Sequence, residues 1–276
     1  MRKILLLLII TLVSWCNVNA QTDAIIGAGS NTATTTNGAA TDAGPMYCTG
    51  STSAFIYSKH FYVYTAAELS NAGIQPGMLI TNLAWNKANN AAYSASTAVV
   101  FDIYMKNSSA TGVPTPVPQD FASLVSGATL VYASTTQSFP ATIGWVDFTL
   151  TTPFLYTGGA IEMATNWDVS AGGTTASGAT GNFAWAKDPG TNILSHCAAT
   201  QSPNFTLLRT ARAQIKITYV SGSPCTVPPT AGNVTSSKTN ACIGEGFTLN
   251  LTGNSSGSGQ TYKWQQSVTG NAPWSD

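Results

Sequence analysis

Two stretches of the chain hold the residue types that could do chemistry. "GAIEMATNWDVSAGG" sets Glu162, Asn166, Trp167 and Asp168 along one segment, and "NFAWAKDPG" places Trp185 just beyond the loop that follows. Glycoside hydrolysis needs two carboxyl groups about 5 to 9.5 Å apart, flanking one bond. Glu162 and Asp168 are six residues apart, which is about 20 Å on an extended strand. They cannot act as a pair unless the chain turns at Asn166. A sugar-stacking role suits this region better, because an indole ring packs on the apolar face of a sugar while Asn166 and Asp168 supply hydrogen bonds beside it. The expected ligand site is therefore Trp167, Asp168, Asn166 and Trp185, set against the competing role in which large aromatics fill the space between two sheets. Trp85 and Trp145 are assigned to that packing role.

Other chemistries find little support. There is no GxSxG phrase, and with only two histidines, His60 and His196, a nucleophile has little to serve as its base. His60 lies in a strand-like run, and His196 sits beside Cys197. The glycine-rich run "GAGSNTATTTNG" lacks the lysine and the strand–loop–helix setting of a phosphate cradle. "DVSAGG" and "TDAG" offer one acid each, too few oxygen ligands for a calcium loop. No cofactor, metal or catalytic residue is expected, and the chain is read as not an enzyme.

Charge is sparse. Charged residues make up 8% of the 276, with eleven basic and eleven acidic side chains, where an average soluble domain carries about 25%. Without a concentrated basic face there is nothing to neutralise phosphates, which excludes nucleic acid as a partner. The polar surface must instead come from Thr, Ser, Asn and Gly, as suits an extracellular β-protein.

The first 20 residues read as a secretion leader: Arg2 and Lys3, an apolar run "ILLLLIITLV", then "VNA" before Gln21. Ten apolar residues are too few to span a bilayer as a helix, and no later segment is apolar enough to cross one. Cys16 goes with the leader, leaving Cys48, Cys197, Cys225 and Cys242. An even cysteine count in an exported chain favours disulfides. The expected bond is Cys48–Cys197, tying the opening segment to a late loop and contributing about 4–5 kcal/mol in the chain-entropy model.

The elements that must position these residues are strands. In "VVFDIYMK", Phe101, Ile103 and Met105 alternate with Asp102 and Tyr104. In "WVDFTL", Val146, Phe148 and Leu150 alternate with Trp145, Asp147 and Thr149. "ARAQIKITYV" sets Ala213, Ile215, Ile217 and Tyr219 against Arg212, Gln214, Lys216 and Thr218. Period two with β-branched and aromatic residues is the signal of a half-buried strand. Similar runs lie at "FIYSKHFYVYT", "LITNLAW", "TLVYAS", "GAIEMATNW" and "NFAWAK". Roughly nine or ten strands in all, with almost no helical periodicity, read as an all-β antiparallel sandwich or jelly roll. Thr65 followed by Glu68 predicts a capped two-turn helix ending at Gly73, and "DFASLVS" predicts a second short turn. Near 220 the composition shifts to "VSGSPCTVPPTAGN", a linker stiffened by proline. Beyond it, Cys242 and Trp264 sit on two short strand-like runs, the first half of the Cys…Trp…Cys pattern of an immunoglobulin-like sandwich. The expected organisation is a leader over 1–20, a jelly-roll-like module over 22–220, a linker over 221–230 and an incomplete immunoglobulin-like domain over 231–276. On this reading the chain is the N-terminal part of a longer protein, and Cys225 and Cys242 await partners further on.

"YSKHFYVYTAAELSNAGIQPGMLITNLAWNK" resembles the opening module of large surface proteins exported by the type IX route in Bacteroidota. "NACIGEGFTLNLTG" with "GQTYKWQQS" is similar to the immunoglobulin-like repeats that follow in such proteins. The resemblance covers most of the chain after the leader. It implies a secreted or outer-surface adhesive protein with a sorting domain further on. The expected function is non-catalytic binding, with sandwich loops presented to an extracellular glycan or a surface protein. The alternative is an accessory targeting module of a secreted multidomain hydrolase whose catalytic domain lies beyond residue 276.

Overall fold

The computed structural model describes residues 21–30, 44–47, 56–93, 99–171, 183–221, 232–240 and 245–254. The strands are β1 (Gln21–Ile26), β2 (Tyr57–Tyr64), β3 (Leu79–Lys87), β4 (Val100–Ser108), β5 (Gln119–Asp120), β6 (Thr129–Ser134) and β7 (Gly144–Leu155). They continue with β8 (Ala160–Asp168), β9 (Lys187–Ala198), β10 (Asn204–Phe205), β11 (Leu207–Ala213), β12 (Ile215–Val220), β13 (Asn233–Ser236) and β14 (Leu249–Thr252). Two short helices join them, α1 (Ala66–Asn71) and α2 (Phe121–Leu124).

The main strands form two antiparallel sheets, a four-stranded one in the order β1-β12-β3-β7 and a six-stranded one in the order β11-β9-β2-β8-β4-β6. The pairing is nested: β4 with β6, β3 with β7, β2 with β8 and β1 with β12. Along these eight strands the chain alternates between the sheets, apart from the β4–β6 hairpin at the centre of the nest. That is jelly-roll connectivity, with β9 and β11 added as a hairpin on the outer side of β2. The expected all-β sandwich is therefore the fold.

Alternation explains which side chains meet. Phe101, Ile103 and Met105 of β4 and Val146, Phe148 and Leu150 of β7 all point into one core. Phe148 packs against Phe101 (centroids 5.1 Å apart) and Tyr132 (5.5 Å) of the opposite sheet, and against Trp85 (5.6 Å) of its own. A second, smaller core lies on the outer face of the six-stranded sheet. There Phe61, Ala164, Leu194 and Phe205 pack under Val113, Val117, Phe121 and Leu124. Strand β2 is consequently buried on both faces, which the period-two reading of a half-exposed strand does not anticipate.

Helix α1 has the expected reciprocal cap. The Glu68 backbone N–H donates to Thr65 Oγ1, and the Thr65 N–H donates to the Glu68 carboxylate at 2.9 Å. Gly73 closes it at φ +87°, a conformation glycine adopts without a Cβ penalty. It connects β2 of the six-stranded sheet to β3 of the four-stranded one. Helix α2, capped by Asp120, does not cross the sandwich and instead roofs the six-stranded sheet.

Two strand boundaries differ from the sequence reading. "ARAQIKITYV" is divided at Gln214, so that Arg212 and Ala213 belong to β11 in one sheet and Ile215–Val220 to β12 in the other. "NFAWAK" contributes only an isolated bridge between Trp185 and Lys87. Strand β9 starts at Lys187 and runs through "KDPG". The pairing shifts register between Arg209 and Ala211, opposite Pro189 and Gly190, and such irregularities tolerate a residue that lacks an N–H. Of the chain after 221, the structure describes the hairpin β13–β14. The expected linker and the residues Cys225, Cys242 and Trp264 lie outside the described residues.

Replacing Phe148 with alanine removes the ring on which both sheets converge. The expected cost is about 3–5 kcal/mol in chemical denaturation, against under about 1.5 kcal/mol for Phe148→Met.

Candidate functional site

The sequence-predicted site comes apart along strand β8. Asn166 and Asp168 point to the outer face of the six-stranded sheet, while Trp167 between them points inward, as period two requires. The Trp167 ring is 0% exposed and packs edge-on against Tyr93 (5.3 Å), Phe139 (5.5 Å) and Phe101 (5.9 Å). Trp185 is 2% exposed and donates its indole N–H to the Met46 carbonyl at 2.8 Å. Neither ring offers a face to solvent, so the stacking platform expected at Trp167 and Trp185 is not there. These are core residues.

Asn166 faces Asp102 on β4 and Lys59 on β2. Burial pushes the Asp102 carboxyl up, against the hydrogen bond from Asn166. Lys59 donates to the Ser202 carbonyl at 2.7 Å beneath the roof. Asp168 accepts from the Ser170 N–H at 2.8 Å and from its hydroxyl at 2.5 Å, which shapes the turn into the following loop. Glu162 forms an ion pair with Lys106 at 2.9 Å. It and Asp168 stand at opposite ends of an unbroken strand, as the spacing argument expects. The expected Cys48–Cys197 bond involves Cys48, outside the described residues. Its neighbour Tyr47 donates its N–H to Ser58 Oγ at 3.2 Å, and Ser58 is the register partner of Cys197.

The outer face of the four-stranded sheet has a different character. Three rows of outward residues cross it. Ile25, Lys216, Ala84 and Asp147 form one row, and Asp23, Thr218, Asn82 and Thr149 the next. Asn86 and Trp145 begin the third, with Gln214 hydrogen-bonded to Asn86. Lys216 bridges Asp147 (3.1 Å) and Asp23 (3.8 Å), and its ammonium lies 5.7 Å from the centre of the Trp145 ring. Asn82 donates to Asp147 Oδ1 at 2.9 Å, and Thr218 donates to Asp23 Oδ1 at 2.6 Å. Asp147 and Asp23 remain 50% and 52% exposed, so the face is open to solvent. Asp23, Asn82, Asp147, Thr149, Lys216 and Thr218 line a groove of about 520 Å³, and Trp145 stands beside it, outside its lining. Asn82 Oδ1 is buried in its wall without a hydrogen-bond partner.

Trp145 is the residue that the sequence reading misplaced. It is partly exposed on this outer face, while Val146 and Phe148 beside it are buried. The signal was present, because "WVDFTL" puts Trp145 in register with Asp147 and Thr149. Size alone had assigned it to the core.

A second depression of about 360 Å³ opens at one end of the sandwich beside α1, lined by Glu68, Asn71, Asp188, Thr191 and Arg212 among others. Its polar groups serve one another. Arg212 is 6% exposed, stacks over the Tyr64 ring at 4.5 Å, donates to the Val63 carbonyl at 2.8 Å and pairs with Glu68. Asp188 accepts from the Gly29 and Ser30 N–H groups and from the Ser30 hydroxyl. This is a latch holding α1 and the end of β1 to the six-stranded sheet. Burial alone would push the Glu68 carboxyl up, but hydrogen bonds from Arg212 and Thr65 outweigh it and hold the group below the ordinary carboxylate range.

Comparison of the chain with protein-family models, with curated proteins and with solved structures found no match.

A depressed carboxylate stabilises the fold above its unfolded pKa, near 4.3, and this stabilisation is lost as pH falls through the folded value. Glu68→Gln is therefore expected to cost about 2–4 kcal/mol at neutral pH, since it uncouples a buried guanidinium and half of a cap. The gap between variant and wild type should close below about pH 4, as thermal unfolding across a pH series would record.

Proposed function

We propose that this is a non-catalytic, secreted or cell-surface binding protein of adhesive type. It engages its extracellular partner, a glycan or a surface protein, with the outer face of the four-stranded sheet. One observation carries the reading. The six-stranded sheet is roofed in part by the chain's own residues, whereas the four-stranded sheet presents a solvent-open polar groove with a partly exposed tryptophan beside it. The expected secretion leader, the scarcity of charge and the resemblance to type IX-exported surface proteins support an extracellular setting. The likeness to adhesive modules agrees with a partner held by surface contacts. Relative to the sequence reading, the binding element moves from the loops to a sheet face, and from Trp167 and Trp185 to Trp145.

Trp145→Ala tests this reading directly. Attachment of the purified protein to bacterial or host cell surfaces, followed by surface plasmon resonance or cell binding, should fall about tenfold or more, equivalent to about 1.4 kcal/mol. The melting temperature should hold, because the ring is not part of the core. Attachment at the wild-type level would remove this face from the function. Peptide mapping without reductant supplies an independent check of the extracellular setting, with a Cys48–Cys197 cross-link as the expected result.

A further inference from the structure

Resting on the reading that this face is the binding surface, we infer that its ligand is a neutral pyranose glycan, held by Asp147, Asn82 and Lys216 in the groove of the four-stranded sheet and by Trp145 beside it.

Charge gives the first argument. Lys216 is the ammonium in the groove and is already shared between Asp147 and Asp23, so two carboxylates stand against one cation. A phosphate, a sulfate or a uronic acid would meet net repulsion there and would have to displace an existing ion pair. A polyhydroxyl ligand meets no such cost. Its hydroxyls both donate and accept, which suits a surface where acceptors (Asp23, Asp147) and donors (Lys216, Asn82) alternate on neighbouring strands.

The unpartnered amide oxygen gives the second. Asn82 commits its amide N–H to Asp147 at 2.9 Å, leaving Oδ1 buried and without a donor. An unsatisfied buried acceptor costs about 1–3 kcal/mol, and a rotation of the Asn82 side chain, which lines the groove, would bring it to a ligand hydroxyl. The Asp147 carboxylate beside it can then accept from a neighbouring hydroxyl of the same ring.

Shape gives the third. The groove is open, lined by small or polar residues (Thr81, Asn82, Thr149, Thr218) with no enclosed apolar pocket for a protein anchor residue. At about 520 Å³ it falls in the range of small-ligand sites. Trp145 stands two residues before Asp147 on the same outward face, so its indole can take the apolar C–H side of a ring whose hydroxyls meet the carboxylates.

The test titrates the purified protein with neutral oligosaccharides of four types (β-glucan, xylan, mannan and chitin fragments) and with two anionic polymers, polygalacturonate and heparin. Binding is followed by calorimetry and by the indole N–H resonances, with Trp145 assigned through Trp145→Phe. At least one neutral oligosaccharide should bind. Trp145→Ala and Asn82→Leu should each weaken it about tenfold or more, and Asp168→Asn on the opposite sheet should leave it unchanged. Affinity should hold when ionic strength rises from about 0.05 to about 0.5 M, because no ion pair with the ligand is involved. Binding only to the anionic polymers, binding insensitive to Trp145 and Asn82, or no neutral sugar bound at all would each overturn the assignment. If no sugar binds but cell attachment still depends on Trp145, the face remains the binding surface and only the ligand class falls. If attachment is also indifferent to Trp145, both readings fall. Unchanged melting temperatures of the variants keep loss of fold from being read as loss of binding.

Discussion

The structure depends on a single meeting point of rings. Phe148 touches Phe101 and Tyr132 across the sandwich and Trp85 beside it, so the spacing of the two sheets is set by how these rings interlock. Once Phe148 points inward, strand geometry leaves no choice for its neighbours. Trp145, Asp147 and Thr149 must point out, and the three strands bonded alongside must add their own outward residues in register. The polar face is thus the reverse side of the core, ordered by the same constraint. A one-residue slip of β7 would bury Asp147 and expose Phe148 together.

The nested pairing gives this constraint its reach. The innermost pair, β4 with β6, joins segments about twenty residues apart, while the outermost, β1 with β12, joins the two ends of the module. Each shell adds to the one inside it, and the outermost depends on all the others. Contacts so distant in sequence bring a large loop-closure cost and slow folding. The latch of Arg212, Glu68 and Asp188 acts at this point. It fastens α1 and the end of β1 to the six-stranded sheet with charge-assisted hydrogen bonds.

Much of this is legible in the residues where one face of a strand packs and the other meets water. Strands β4, β7 and β12 were read correctly because Phe101–Ile103–Met105, Val146–Phe148–Leu150 and Ile215–Ile217–Tyr219 alternate with polar neighbours. The capping box of α1 was legible because its chemistry is local. Legibility fails where burial comes from both sides or where a strand changes partner. β8 is central and its outer face is roofed in part, so Trp167 looks like a loop-edge residue although it is core. Gln214 carries no breaker signal, yet the chain passes there from one sheet to the other, turning Arg212 from an outward residue into a buried one. Trp145 was misplaced for the opposite reason, because its size outweighed a correct alternation. The two errors are mirror images. One indole was placed at the surface by its hydrophilic neighbours, the other in the core by its bulk.

The pairing of Gln21 with Val220 has a mechanical consequence. The two ends of the module sit side by side on one sheet, and the chain leaves toward its C-terminal segment from β12, the strand that carries Lys216. If a ligand is held on this face, a pull arriving through Val220 reaches it over four residues of a single strand. The six-stranded sheet lies off that line of force. That pull would then be carried by β12 and its ladders to β1 and β3.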